Sequence, residues 1–216
     1  MRVWIAGATG LTGTALLNEL LREPQFDRVV AFVRRPLAVV DHRLTEAPAD
    51  FEHLREGNPG FVDAAFCCLG TTIRTAGSAA AFRRVDHDHV LAFAAAAKAH
   101  GARHFGVVSA LGANVTSRIF YNRVKGETER DLRQLAFASL AIYQPSFLIG
   151  NRQEQRPGER AGMILAQILS PLMLGPLKKY RAIRVTTIAK AMLRQALAAK
   201  SGVEVVESDV IEELGR

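Results

Sequence analysis

The sequence predicts an α/β fold, a doubly wound parallel sheet, on two observations. Apolar runs bounded by turn residues alternate with helical patterns along most of the 216-residue chain. The first run, VWIAGATGLTG at residues 3–13, breaks into glycines three apart, Gly7, Gly10 and Gly13, before a helical pattern begins. Alternating strands and helices argue for βαβ units. A glycine-rich turn between the first strand and the first helix is where such sheets approach a ligand with bare backbone.

Taken in order, strands are expected at 2–7, 28–33, 62–69, 104–109 and 139–144, with a weaker candidate at 43–47. Between them TGTALLNELLRE, SAAAFRRVDHDHVLAFAAAAKAHG and SRIFYNRVKGETERDLRQL read as helices, the first stopped near Pro24 and the second near Gly101. Alanine across 77–102 permits close packing on the sheet. A hydrophobic content of 49% supports one substantial core, so a single domain over residues 1–216 is expected. The short stretch at 150–200 is read as a small basic lid over a substrate.

The net charge of +7 is unevenly placed, because residues 151–200 hold ten Lys/Arg against Glu154 and Glu159. That segment faces an anionic ligand or partner, or is a solvated helix face. With no binding motif there and Tyr180 its only aromatic, nucleic acid is not expected. The apolar stretches LAFAAAA and MILAQILSPLMLGPL are too short or broken to span a bilayer of ~20 residues, so no membrane role is expected. Cys67 and Cys68 are adjacent and cannot easily bridge, which predicts reduced thiols. With no basic leader at the start, the expected location is cytoplasmic.

The glycine turn carries the ligand prediction. A helix start presents unpaired N–H groups and a positive dipole end, and glycine lets a pyrophosphate approach them. The second strand, RVVAFVRRP, ends about 20 residues later, where a dinucleotide site meets the adenosine ribose. There the chain offers Arg34 and Arg35 in place of a carboxylate, and two guanidinium forks suit a 2′-phosphate. The cofactor expected is therefore NADP(H).

Chemistry is expected from Tyr121 and Lys125, four apart on one helix face. An ammonium beside a phenol favours the phenolate, which equips the pair to move a proton at a carbonyl or alcohol oxygen. Ser109, at the end of HFGVVS, can hydrogen-bond the same oxygen. Other conspicuous residues read as structural. His87 and His89 are expected to be solvent-exposed, Trp4 and the two cysteines to be core, and the Leu/Met series at 163–174 to be the apolar face of a docked helix.

The blocks AGATGLTG, CCLGTT, FRRVDHDHV, YNRVKGETE and NRQEQRPGE together resemble the atypical branch of the short-chain dehydrogenase/reductase superfamily, and within it the Tat-interacting-protein-like oxidoreductases. The resemblance implies a Rossmann fold that binds NADPH through Thr9, Gly10, Leu11 and Thr12 at the turn, beside Gly7 and Gly13, and through Arg34 and Arg35 at the phosphate. It adds Leu69 and Gly70, Tyr121 and Lys125 near the nicotinamide ribose, and Leu148 and Arg156 beyond the sixth strand. Two departures stand out. Asp86 occupies a position where the superfamily places an Asn that supports a proton-relay water, and the part after Gly150 is too short for a bulky sugar-nucleotide lobe. The expected activity is NADP(H)-dependent reduction of a small carbonyl or oxidation of its alcohol. The rival expectation is a cofactor-sensing protein that presents a surface to a protein partner without turnover.

Overall fold

The computed structural model describes residues 1–54, 60–150, 175–198 and 200–216. Its centre is β1 (Arg2–Ala6), whose residues alternate between two buried faces. Val3 and Ile5 pack toward one face and Trp4 and Ala6 toward the other, the pattern of a strand covered on both sides.

The order of strands is β3-β2-β1-β4-β5-β6-β9, all parallel, with β2 at Arg28–Val33, β3 at Leu44–Pro48, β4 at Ala64–Cys67, β5 at His104–Val108, β6 at Ser139–Gln144 and β9 at Gly202–Glu207. The order reverses between β1 and β4, so a crevice opens at the carboxyl ends of these two strands. A separate short ladder pairs β7 (Leu148–Ile149) with β8 (Ile183–Arg184). The doubly wound Rossmann architecture expected from the alternation is thus present.

One layer is formed by α1 (Leu11–Arg22) and the later helix Val185–Ala198, which bury Leu16, Leu17, Leu20, Ile188 and Met192 against the sheet. Val185–Ala198 was not among the expected helices; it lies within the stretch read as a lid, and its apolar face belongs to the core. On the opposite face Trp4 meets Phe32 edge-on at 5.1 Å, and Phe32 meets Phe93 at 5.5 Å. Each such ring contributes roughly 1.5–3 kcal/mol by burial, which makes this layer a firm backing for the crevice.

The long middle helix is interrupted. After α2 (Ile73–Ala76) come α3 (Ala79–Arg83), a π-helical turn at Arg84–Asp88, and α4 (His89–Ala99). The extra residue in the turn rotates Asp86 and His87 inward, leaving them 1% and 8% exposed. The expectation of a solvent-exposed His87 is therefore corrected: its ring nitrogens reach Asp88 at 2.7 Å and Asp131 at 2.9 Å. His89 is half-buried and stacks on Phe51 at 5.1 Å. Trp4 and Cys67 are fully buried and Cys68 is half-buried; burial pushes the Cys67 thiol up to about 12, as suits packing atoms and not a redox pair. Among the described residues, no helix is long and apolar enough to cross a membrane.

Candidate functional site

The turn after β1 is built by close approach. Gly7 has φ +81, and a Cβ there would stand 2.5 Å from the backbone carbonyl of Cys68; at Gly13 a Cβ would stand 2.0 Å from the Gly7 oxygen. These two glycines let the turn press on β4 and α1 press on the turn. Gly10 differs, since the nearest atom to its hypothetical Cβ is the Gly7 oxygen at 3.3 Å and the residue is exposed. It caps α1 with no side-chain hydrogen bond, and no acidic residue lies in the first turn. The amides at Leu11, Thr12 and Gly13 are first-turn donors without intrahelical partners, a cradle that fits the pyrophosphate of a dinucleotide. Thr9 is exposed beside them and Thr12 is buried, while the Thr14 hydroxyl ties the turn to the Ala8 carbonyl at 2.9 Å.

Arg34 and Arg35 follow β2 and are both exposed. The sequence reading found no carboxylate at this strand end; the structure supplies one from the neighbouring strand, because Glu46 of β3 accepts from the Leu37 amide at 3.2 Å. Beyond β4, Leu69 is half-buried and Gly70 exposed, and a Cβ on Gly70 would lie 3.5 Å from Asp86 Oδ1 and 3.9 Å from Lys125 Nζ. Gly70 thus links the crevice to the chemistry candidates. Leu148 lies in β7, and a Cβ on nearby Gly150 would touch Leu11 at 3.2 Å, so this segment closes on the turn. Arg156, the NRQEQRPGE block and the Leu/Met series at 163–174 lie outside the described residues.

Tyr121 and Lys125 sit on α5 (Phe120–Gln134), one turn apart, as their spacing predicts. Tyr121 is half-buried against Phe82, with ring centroids 5.5 Å apart. Lys125 is 5% exposed, and its Nζ lies 2.8 Å from Asp86 Oδ1. The other Asp86 oxygen accepts from the Thr71 amide at 2.9 Å, and Thr128 Oγ1 holds the Asp86 carbonyl at 3.0 Å. Burial by itself would push the Lys125 ammonium down. The Asp86 carboxylate and the nearby Tyr121 phenol outweigh it, and Lys125 stays above its ordinary 10.5.

Ser109 follows β5 directly and is 8% exposed, with its hydroxyl donating to Glu129 Oε1 at 2.5 Å. Gln144, at the end of β6, donates from Nε2 to both Glu129 oxygens at 2.9 and 3.0 Å. Sequence reasoning missed Glu129, although it continues the Tyr121–Lys125 spacing by one more turn of the same helix. Asp86, Ser109, Lys125, Thr128 and Glu129 line a cavity of about 10 Å³, room for about one water. The structure therefore brings Ser109 and Lys125 to one cavity, with two carboxylates beside them.

Comparisons with known proteins agree with this geometry. A family model described as NAD(P)H-binding matches residues 7–138. Protein HTATIP2 of Rattus norvegicus is 39% identical over 220 residues, spanning 99% of this chain and 89% of its own length. The FMP52 protein of Eremothecium gossypii, named mitochondrial, is 39% identical over 159 residues, covering 73% of this chain and 71% of its own. Among solved structures, human epimerase family protein SDR39U1 (isoform 2) with NADPH superposes with a TM-score of 0.64 over 95% of this chain and 73% of that one, at 18% identity. That likeness is one of fold.

The mitochondrial naming of FMP52 relatives from several fungi overturns the cytoplasmic expectation. Unbridged cysteines suit a mitochondrial compartment equally well, so composition had no power to choose. With its glycine turn, its strand order and a relative matched over nearly its whole length, the chain belongs to the NAD(P)H-binding family and is a relative of HTATIP2.

Proposed function

We propose that the protein is an NADP(H)-dependent oxidoreductase acting on a small carbonyl or alcohol substrate. The observation that carries this reading is the placement of Tyr121 and the buried, charged Lys125 on one face of α5, with Lys125 Nζ close to Gly70 at the carboxyl end of β4. NADP(H), when bound, gives or takes a hydride at its nicotinamide ring. The first-turn amides of α1 at Leu11, Thr12 and Gly13 hold the pyrophosphate beside Thr9 and Gly10 of the turn, and Arg34 and Arg35 clamp the 2′-phosphate. Leu69, Gly70, Leu148 and Arg156 flank the rest of the cofactor. Tyr121 transfers the proton at the substrate oxygen, Lys125 stabilises the phenolate and holds the ribose, and Ser109 lies against the same oxygen. Residues 1–216 act as one domain, and of the basic stretch 150–200 only the part before the core helix Val185–Ala198 acts as a small lid.

The test is NADPH consumption with a panel of small aldehydes and ketones, run beside Tyr121→Phe. Loss of turnover on removing one hydroxyl is expected; equal rates would reject the assignment of Tyr121. A second reading, an NADPH-binding regulatory protein that engages a protein partner without turnover, is favoured by one observation: Lys125 is already ion-paired to Asp86, which competes with a phenolate for its charge. A rise in melting temperature with NADPH and no turnover across the panel would select it.

A further inference from the structure

At the amino ends of β5 and β6, beside the helix Val185–Ala198, two buried nitrogens have no hydrogen-bond partner among the described residues: His104 Nε2 and Gln195 Nε2. The two residues are 4% and 6% exposed, and both line a cavity of about 20 Å³, room for one water. The hydrogens around this cavity can be placed. Ser139 Oγ lies 2.9 Å from His104 Nδ1, its one side-chain partner among the described residues, so the hydroxyl donates to the ring. Burial lowers His104 to about 4, so at neutral pH the imidazole is uncharged and carries its single N–H on Nε2. Tyr143 donates from its hydroxyl to Gln195 Oε1 at 2.6 Å, which leaves the amide nitrogen of Gln195 as a donor. Two buried N–H donors thus border one water-sized space, and each needs an acceptor.

We propose that this cavity is a binding site for one resident water, which accepts from His104 Nε2 and Gln195 Nε2 and turns its own hydrogens toward the carboxylate of Glu204. Glu204, on β9 and in register with Ala141 of β6, lines the same cavity, and its charge selects water over a small anion. The space exists because the neighbours are small. Ala141 lines it, and a Cβ on Gly106 would stand 3.5 Å from His104 Nε2. Through the water, Ser139, His104, Gln195 and Tyr143 form one hydrogen-bonded chain that ties β5 and β6 to the helix Val185–Ala198. The site lies at the opposite ends of the strands from the glycine turn, so it goes beyond the oxidoreductase reading and does not depend on it.

The experiment uses the full chain at neutral pH, with bromide as the only halide. Long-range ¹⁵N spectra of the histidine rings, assigned with His104→Gln, are expected to show His104 protonated at Nε2. A crystal structure is expected to show an oxygen peak within about 3.2 Å of both nitrogens, with no anomalous bromide signal there. Relaxation dispersion of ¹⁷O water should report a long-lived molecule in the wild type, and Gln195→Met, which keeps the length but loses the donor, should shorten its residence roughly tenfold. Protonation of His104 at Nδ1, absence of the peak, or a bromide peak in its place overturns the proposal; the bromide result would make the ligand an anion. An unchanged residence time in Gln195→Met also overturns it. The wild-type spectra and density decide even if Gln195→Met does not fold.

Discussion

Lys125 and Asp86 form a buried ion pair, Nζ to Oδ1 at 2.8 Å, across the junction of α5 and the π-helical turn. Asp86→Ala leaves an ammonium without its partner and should cost about 3–5 kcal/mol, read as a lowered urea midpoint. Asp86→Asn keeps the shape and the Thr71 contact and should cost less. An Asp86→Ala midpoint equal to wild type would mean the pair contributes nothing to folding.

The same pair sets a pH dependence. Lys125 is held above its ordinary 10.5 in the folded chain, so its contribution is fully present below that value and fades as pH climbs through the folded value. Denaturation curves from neutral pH to beyond 10.5 should show wild type losing stability faster than Lys125→Met at the alkaline end. Parallel curves would rule this out.

His104 provides the opposite sign. Burial lowers it to about 4, with Ser139 Oγ 2.9 Å from Nδ1, so the unfolded chain takes up a proton that the folded chain refuses. Stability should fall by on the order of 3 kcal/mol as pH drops from 6.5 toward 4. His104→Gln should flatten that slope, as followed by melting temperature across the range.

Gly10 and Gly13 separate folding from binding. Gly13→Ala places a methyl 2.0 Å from the Gly7 oxygen and should disrupt the turn outright, seen as a collapse of the melting transition. In Gly10→Ala the methyl has 3.3 Å to its nearest neighbour and points where the pyrophosphate would lie. It should melt within about 1 kcal/mol of wild type yet lose NADPH binding. Retained binding in that variant would place the cofactor elsewhere.

Arg34→Ala/Arg35→Ala should weaken NADPH by about 10–100-fold while leaving NADH nearly unchanged, the loss of charge-assisted hydrogen bonds to one phosphate. Fluorescence titration of both nucleotides measures it. Glu46 on the neighbouring strand makes this informative, because a carboxylate close to that loop favours NADH once the arginines are gone.

The sheet was legible because its strands are short, apolar and bounded by turn residues, and all six anticipated strands are present. β9 escaped notice because GVEVVE interleaves glutamates as an outer strand can, leaving only Val206 fully buried. The π-helical turn was invisible for a different reason. RRVDHDHV reads as continuous helix, and nothing local announces the one-residue slip that buries Asp86 and His87. That Tyr121 and Lys125 share one face of a helix was readable from spacing alone, whereas the Ser109–Glu129–Gln144 cluster depends on which strand ends meet α5. That is a long-range fact.

The seventh strand has a consequence for any shortened form of the protein. β9 hydrogen-bonds β6 along its full length, from Ser139–Gly202 to Gln144–Glu207. A chain cut before Gly202 would bare a row of backbone donors and acceptors on a strand whose residues are all buried, and such molecules would tend to recruit one another into insoluble ribbons.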